Sequence, residues 1–199
     1  MIDFQQHCVI AMMLYAKYKT RNLQGVLGPG GAGSSPATTT GSSNATGGAD
    51  TKNESSKYVC GLGLEGVFGG ICEWVEGVEI NNRVWKITDP DGSTRNVNAE
   101  TFSGWIINIA AENGPFFDVV PTQVGGSDST HYSDYYSRTS DSSLVLARSG
   151  YRSYPTGGVA YTDAAYDASD MDSSYGSRLA FHGTISELAP RQFKRLPVL

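Results

Sequence analysis

The sequence predicts a small α+β domain with short strands, one or two helices and long irregular loops. Three observations carry that expectation. A helical stripe of apolar residues opens the chain, short apolar runs bounded by turn signals follow, and a Gly/Ser/Thr-rich tract interrupts them. With 199 residues, 39% of them hydrophobic, there is length for one core and not for two.

The elements follow in chain order. Phe4, Cys8, Ala11, Met12, Tyr15 and Tyr18 recur at helical spacing. Asp3 with Gln6 three residues on forms a capping-box pattern. Lys17, Lys19 and Arg21 suit the negative end of the dipole, and Gly25 is placed to end the helix. So apolar a helix at the start, with no preceding partner, suggests a domain excised from a longer chain. From Gly28 to Lys57 no residue is more apolar than Ala, Pro or Thr, so that stretch reads as a long flexible loop. It contains two glycosylation sequons, Asn44-Ala45-Thr46 and Asn53-Glu54-Ser55. Without a signal peptide these carry little weight.

A hairpin is expected over Cys72–Thr88. Asn81-Asn82 would form its two-residue turn, setting Val78 opposite Trp85 and Glu76 opposite Ile87. Asp89-Pro90-Asp91-Gly92 is a turn signal. The runs Trp105–Ile109 and Leu144–Leu146 fit buried strands or helix pieces. Gly158–Tyr161 and Arg178–Phe181 read as two more strands. The tail from Pro190 to Leu199 has no strong periodicity.

Charge narrows the function classes. The net charge is −5, only 18% of residues are charged, and no lysine occurs between Lys86 and Lys194. A nucleic-acid binder needs a basic stripe, and a membrane-surface protein needs Lys or Arg on an amphipathic face. Neither is present. The longest apolar run, Cys8–Ala16, is too short to span a bilayer, and the first five residues lack a cationic signal-peptide region. Cys8, Cys60 and Cys72 are odd in number and form no CxxC pair, so buried, reduced thiols are expected, with a Cys60–Cys72 bridge allowed.

Catalytic patterns are weak. His7, His131 and His182 have no zinc-ligand spacing. Ser127, Asp128 and His131 share one loop without a nucleophile-elbow pattern. The pairs Asp163/Asp167 and Asp170/Asp172 lack the spacing and closing Glu of a calcium loop. No phosphate-binding glycine motif is present. The expectation is a protein without enzymatic activity, cofactor or metal.

The informative window lies late in the chain. Eight of the eleven tyrosines fall between Tyr132 and Tyr175, and Tyr151–Tyr175 holds five Tyr, four Ser and four Asp. Tyrosine offers large contact area at the cost of ordering two χ angles, while Ser and Gly adapt. Lysine is depleted at interfaces. Loops need polarity, but they do not need five tyrosines, so the window reads as a binding surface.

Two segments then carry a resemblance. Residues 61–77, Gly-Leu-Gly-Leu-Glu-Gly-Val-Phe-Gly-Gly-Ile-Cys-Glu-Trp-Val-Glu-Gly, resemble the GLENLWGNVWEWVDG segment of the formylglycine-generating, sulfatase-modifying fold. Gly176-Ser177-Arg178-Leu179-Ala180-Phe181-His182-Gly183 resembles the G-x-R-L-A-F-R-G strand that closes it. Tyr15–Arg21 followed by Val26-Leu27-Gly28, and Asp118–Thr122 leading to Gly125–Thr130, are also similar to the C-type lectin-like variable proteins of diversity-generating retroelements. The resemblance covers residues 1 to about 185, with residues 186–199 as a tail.

That resemblance implies a single C-type lectin-like (sulfatase-modifying-factor-like) domain with a variable ligand-binding region over 147–183. It implies a receptor-binding protein of a phage or prophage, on the virion or a bacterial cell surface, folded in the host cytoplasm. The implied partner is a bacterial surface protein or glycan, with no nucleic acid and no membrane insertion; a homo-oligomer stays open. The implied ligand-binding residues are Tyr151, Ser153, Tyr154, Tyr161, Asp163, Tyr166, Ser169, Asp170, Asp172, Ser173 and Tyr175, with Arg152 and Met171 beside them, all converging on one solvent-facing surface. The enzyme branch works through two late cysteines, whereas no cysteine follows Cys72 here. Gly70-Ile71-Cys72 also departs from the family's Asn, Val and Trp or Tyr. The alternatives are a degenerate enzyme of that branch and a structural fibre or decoration domain.

Overall fold

The computed structural model describes residues 1–29, 50, 59–139, 144–150, 157–171 and 174–178. The loop expected over 28–57 and the tail beyond Arg178 lie almost wholly outside these, as does most of the strand expected at Arg178–Phe181.

The chain enters as a two-residue strand β1 (Ile2–Asp3) and turns into helix α1 (Phe4–Tyr18). The capping box forms as expected: Gln6 N donates to Asp3 Oδ1 at 2.7 Å, and Asp3 N donates back to Gln6 Oε1. The helix does not continue to Gly25. Lys19 takes a left-handed conformation and its N–H donates to Tyr15 O, which closes α1. A separate short helix α2 (Leu23–Leu27) starts at Asn22, whose side chain accepts from Gly25 N. The buried face of α1 is Phe4, His7, Cys8, Ala11 and Leu14, while Met12, expected on it, is exposed.

The strands that follow are β2 (Cys60–Gly61), β3 (Leu64–Glu65), β4 (Cys72–Asn81), β5 (Val84–Thr88), β6 (Thr94–Asn98), β7 (Gly104–Ile109), β8 (Pro121–Val124), β9 (Tyr135–Arg138), β10 (Leu144–Arg148), β11 (Thr162–Ala164) and β12 (Tyr175–Gly176). Among the described residues, ten strands form one curled mixed sheet. Its main path is β6-β5-β4-β10-β11-β9-β7-β8. Strand β4 is the hub. It pairs with β10 and, along successive stretches, with β5, β1 and β12. Gly77, at φ +82, lets β4 bulge between the stretches that face β1 and β5. With helices and a mostly-sheet framework, the architecture is α+β.

The β4–β5 hairpin differs from expectation by one residue. Its turn is Asn82-Arg83, both at positive φ, which pairs Val78 with Ile87 and Ile80 with Trp85. The expected register would have set Glu76 against Ile87. The observed one puts apolar on apolar, with all four side chains no more than 5% exposed. It also sets Lys86 opposite Glu79, 3.7 Å away. That burial outweighs the cost of holding Arg83 in the left-handed region.

Gly158–Tyr161 is a turn and not the expected strand. Its conformation is set by Asp134, whose carboxylate accepts from Gly158 N at 2.7 Å, Ala160 N at 2.8 Å and Gln24 Nε2 at 2.7 Å. Two backbone donors taken by a carboxylate are not available to a ladder. The core lies between α1 and the inner face of the sheet, around Phe4, Leu14, Phe68, Trp85, Ile87, Ile106, Tyr136 and Leu146. Cys8, Cys60 and Cys72 are all buried, as thiols and not as a Cys60–Cys72 bridge.

Candidate functional site: an aromatic outer face

Residues paired across neighbouring strands project to the same face. One row runs Glu73, Arg148, Thr162, Tyr136 across β4, β10, β11 and β9, and it points into the core. Arg148 is 1% exposed and pairs with Glu73, while its Nη1 lies 3.1 Å from His7 Nδ1. Burial, and then the Arg148 guanidinium, depress the His7 pKa well below the ordinary value, so the ring is neutral.

Arg178 reaches the same carboxylate from the end of β12. Its Nε and Nη2 donate to Glu73 Oε1 at 2.7 and 2.6 Å, while Nη2 and Nη1 donate to the carbonyls of Gly66 and Glu65. One guanidinium therefore ties the end of β12 to the Gly61–Gly77 segment.

The next row, Trp74, Ala147, Asp163, Ser137, projects to the opposite face. Here the exposed side of the sheet is aromatic. Trp74 stacks on Tyr175 with ring centroids 4.7 Å apart and planes at 21°. Tyr166 packs edge-on against Tyr175 at 4.9 Å. On the far side of the row, Trp105 and Tyr135 face each other across β7 and β9 at 5.6 Å and 90°. Trp74, Trp105, Tyr135 and Tyr175 are half-buried and Tyr166 is exposed. Cys72, Ala147 and Tyr161 form a small separate core beneath them.

Asp163 holds this tier in place. It is 5% exposed, and its Oδ2 accepts from Tyr175 Oη at 2.6 Å and from Tyr161 Oη at 3.4 Å. Its Oδ1 accepts from Ala165 N at 3.1 Å, and Ser137 donates as well. Burial raises the carboxyl above its ordinary pKa, and these donors pull it back. Burial first, and then the bond to Asp163, push the Tyr175 hydroxyl well above the tyrosine range, so it stays a donor. Past the aromatic tier, the 167–171 loop is organised by its own bonds. Asp167 Oδ1 accepts from Ser169 N and Oγ, and Asp167 N donates to Asp170 Oδ2 at 2.8 Å. Met171 is almost wholly exposed.

Of the eleven residues expected at a ligand surface, the exposed Tyr166 and the half-buried Tyr175 lie on this face, and Ser169 and Asp170 are exposed in the loop that follows Tyr166. Tyr161 and Asp163 are corrections. They are buried, 7% and 5% exposed, because one closes the small core and the other accepts the hydroxyls that fix Tyr175. Tyr151, Ser153, Tyr154, Asp172 and Ser173, and Arg152 beside them, lie outside the described residues. Gly150 and Gly157, which flank residues 151–156, are in contact: a Cβ on Gly150 would stand 2.4 Å from Gly157 Cα.

Sequence reasoning missed Trp74, Trp105 and Tyr135. The adjacent pair Tyr135-Tyr136 held the available signal, since neighbours on a strand face opposite ways and one of the two must leave the core.

The weak catalytic patterns stay apart. The Ser127 hydroxyl bonds with Ser129 and Thr130, and His131 is exposed. Among the described residues no cluster of His, Cys, Asp or Glu is placed to hold a metal ion, and no helix is long and apolar enough to cross a membrane. Comparison of the chain with protein-family models, curated proteins and solved structures returned no match.

Proposed function

We propose that this chain is a non-catalytic, C-type lectin-like ligand-binding domain of the retroelement-diversified type, carried by a phage or prophage and recognising a bacterial surface protein or glycan. The observation that carries the reading is the half-exposed tier Trp74–Tyr175–Tyr166, locked from below by Asp163. Large aromatic surfaces that are ordered before binding contribute contact area at little entropic cost, which is what recognition without turnover requires. Two further facts agree with it. The two segments that bear the resemblance meet through Arg178, and the cysteines are buried, with Cys8 pushed up to about 12, mainly by burial. A buried thiol of raised pKa is a poor nucleophile.

The test is binding of fluorescently labelled protein to a panel of intact bacterial strains. Saturable binding to a subset of strains is expected, at least tenfold weaker for the Trp74→Ala/Tyr166→Ala double variant and unchanged for Met13→Ala on the outer side of α1. Equal binding by the double variant and the parent protein would refute the reading.

A further inference from the structure

A second feature lies at the far edge of the sheet. Strand β6 pairs with β5 and ends the strand path among the described residues. Asp89 N donates to Ser93 O and Ala99 N donates to Arg83 O. By the alternation of an antiparallel ladder, Arg95 and Val97 therefore turn both N–H and C=O toward β5, where the Ser93 carbonyl and the Ala99 N–H also point, while the Ser93 N–H donates to Asp91 Oδ1. Thr94, Asn96 and Asn98 turn theirs to the other edge, which is open among the described residues.

Exposed edges are commonly guarded by lysine, proline or a covering loop. This one has neither residue, and the side chains of Thr94, Asn96 and Asn98 are neutral. Arg95 does not guard it either. Its guanidinium is held by Asp89 and Asp118 and lies 4.0 Å over the Phe116 ring. The 113–118 loop touches the strand through that Arg95 contact, and a cleft of about 490 Å³ lies between Arg95–Asn98 and Asn113–Phe116. Thr122 also lines the cleft, and its buried hydroxyl has no partner. Phe116, which lines the cleft, is half-exposed, and a smaller pocket lined by Val9, Met12 and Phe117 adjoins it.

The chemistry of the cleft selects among ligands. An anion such as phosphate has no free cation to meet, because two carboxylates already hold Arg95. What remains is a row of backbone donors and acceptors repeating every second residue, beside an apolar lip. That is the complement of an extended polypeptide.

We infer that the β6 edge is a second binding site, one that takes an extended, uncharged peptide segment of another protein as an added strand, with an apolar side chain of that segment seated against Phe116. The site is independent of the aromatic face.

The experiment pans a phage-displayed library of random 12-residue peptides on the full chain and measures the selected peptides by fluorescence polarisation. Proline at position 98 removes an N–H that faces the open edge without touching the β5 ladder. Binding at least tenfold weaker to Asn98→Pro and to Phe116→Ala, and unchanged for Asn98→Ser, is expected. Peptides that bind Asn98→Pro as tightly as the parent chain overturn the inference. So do peptides that are lost with Asn98→Ser, or the failure of any peptide to enrich. If Asn98→Pro does not fold, amide hydrogen exchange of the parent chain decides: slowing at Asn96 and Asn98 on peptide binding supports the site, and no slowing overturns it.

Discussion

Asp163 and Asp134 are both buried carboxyls, and the chain uses them differently. Asp163 orders an aromatic side chain through a hydroxyl bond. Tyr175→Phe removes that donor while keeping the ring, and should cost about 1–3 kcal/mol because the carboxyl stays buried with one partner fewer. Urea unfolding of the two proteins measures it. Asp134 fastens the 158–160 turn, and burial pushes its carboxyl up to about 7 against the pull of its three donors. Since an unfolded carboxyl titrates near ~4, the folded state holds a proton that the unfolded state releases between those values. Its contribution to stability is therefore complete below pH ~4 and lost as pH rises through about 7. Asp134→Asn removes the titration. The stability gap between parent and variant should shrink from pH 4 to pH 7, by on the order of 4 kcal/mol, and stay constant above. A gap that widens over that range in urea unfolding contradicts the assignment. His7, buried neutral, acts in the opposite direction in both proteins and cancels in the difference.

Elements were legible where their signal is local. The capping box of α1, the Asp89–Gly92 turn and the apolar runs of β7 and β10 all follow from neighbouring residues. The hairpin register was not, because two adjacent asparagines mark a turn without choosing its first residue. The choice is made by cross-strand burial of Trp85 and Ile87. The 158–161 turn was missed for a related reason, since its organiser, Asp134, stands 24 residues upstream of Gly158. Gly150 and Gly157 matter at this scale too. Their backbones touch and Gly150 has φ +60, so a methyl group has neither space nor a relaxed conformation there. Gly150→Ala should cost about 2–4 kcal/mol, or roughly 5–15 °C in the Tm of a chain this size. Differential scanning calorimetry measures that loss.

At the scale of the whole molecule, one curled sheet separates two environments. Its inner face, with α1, makes the core; its outer face presents Trp74, Trp105, Tyr135, Tyr166 and Tyr175. The surplus of tyrosine was legible from composition, and its window from position. Which tyrosines support and which contact was not, because strand alternation separates two faces without saying which is wet, and the rows form between distant strands. Hence Tyr161 and Asp163 looked like contact residues and are supports, while Trp74 lay hidden inside a motif that resembles scaffold.

The proposed reading, a diversified face on a constant support, is tested most directly by sequencing the encoding locus. A second, near-identical repeat beside a reverse-transcriptase gene is expected, differing only at template adenines. Those differences should fall on the codons of Tyr151, Ser153, Tyr154, Tyr166, Ser169, Asp170, Asp172, Ser173 and Tyr175, and spare Tyr161 and Asp163. A locus with no such repeat, or one whose differences fall on codons of the buried core, would contradict the account.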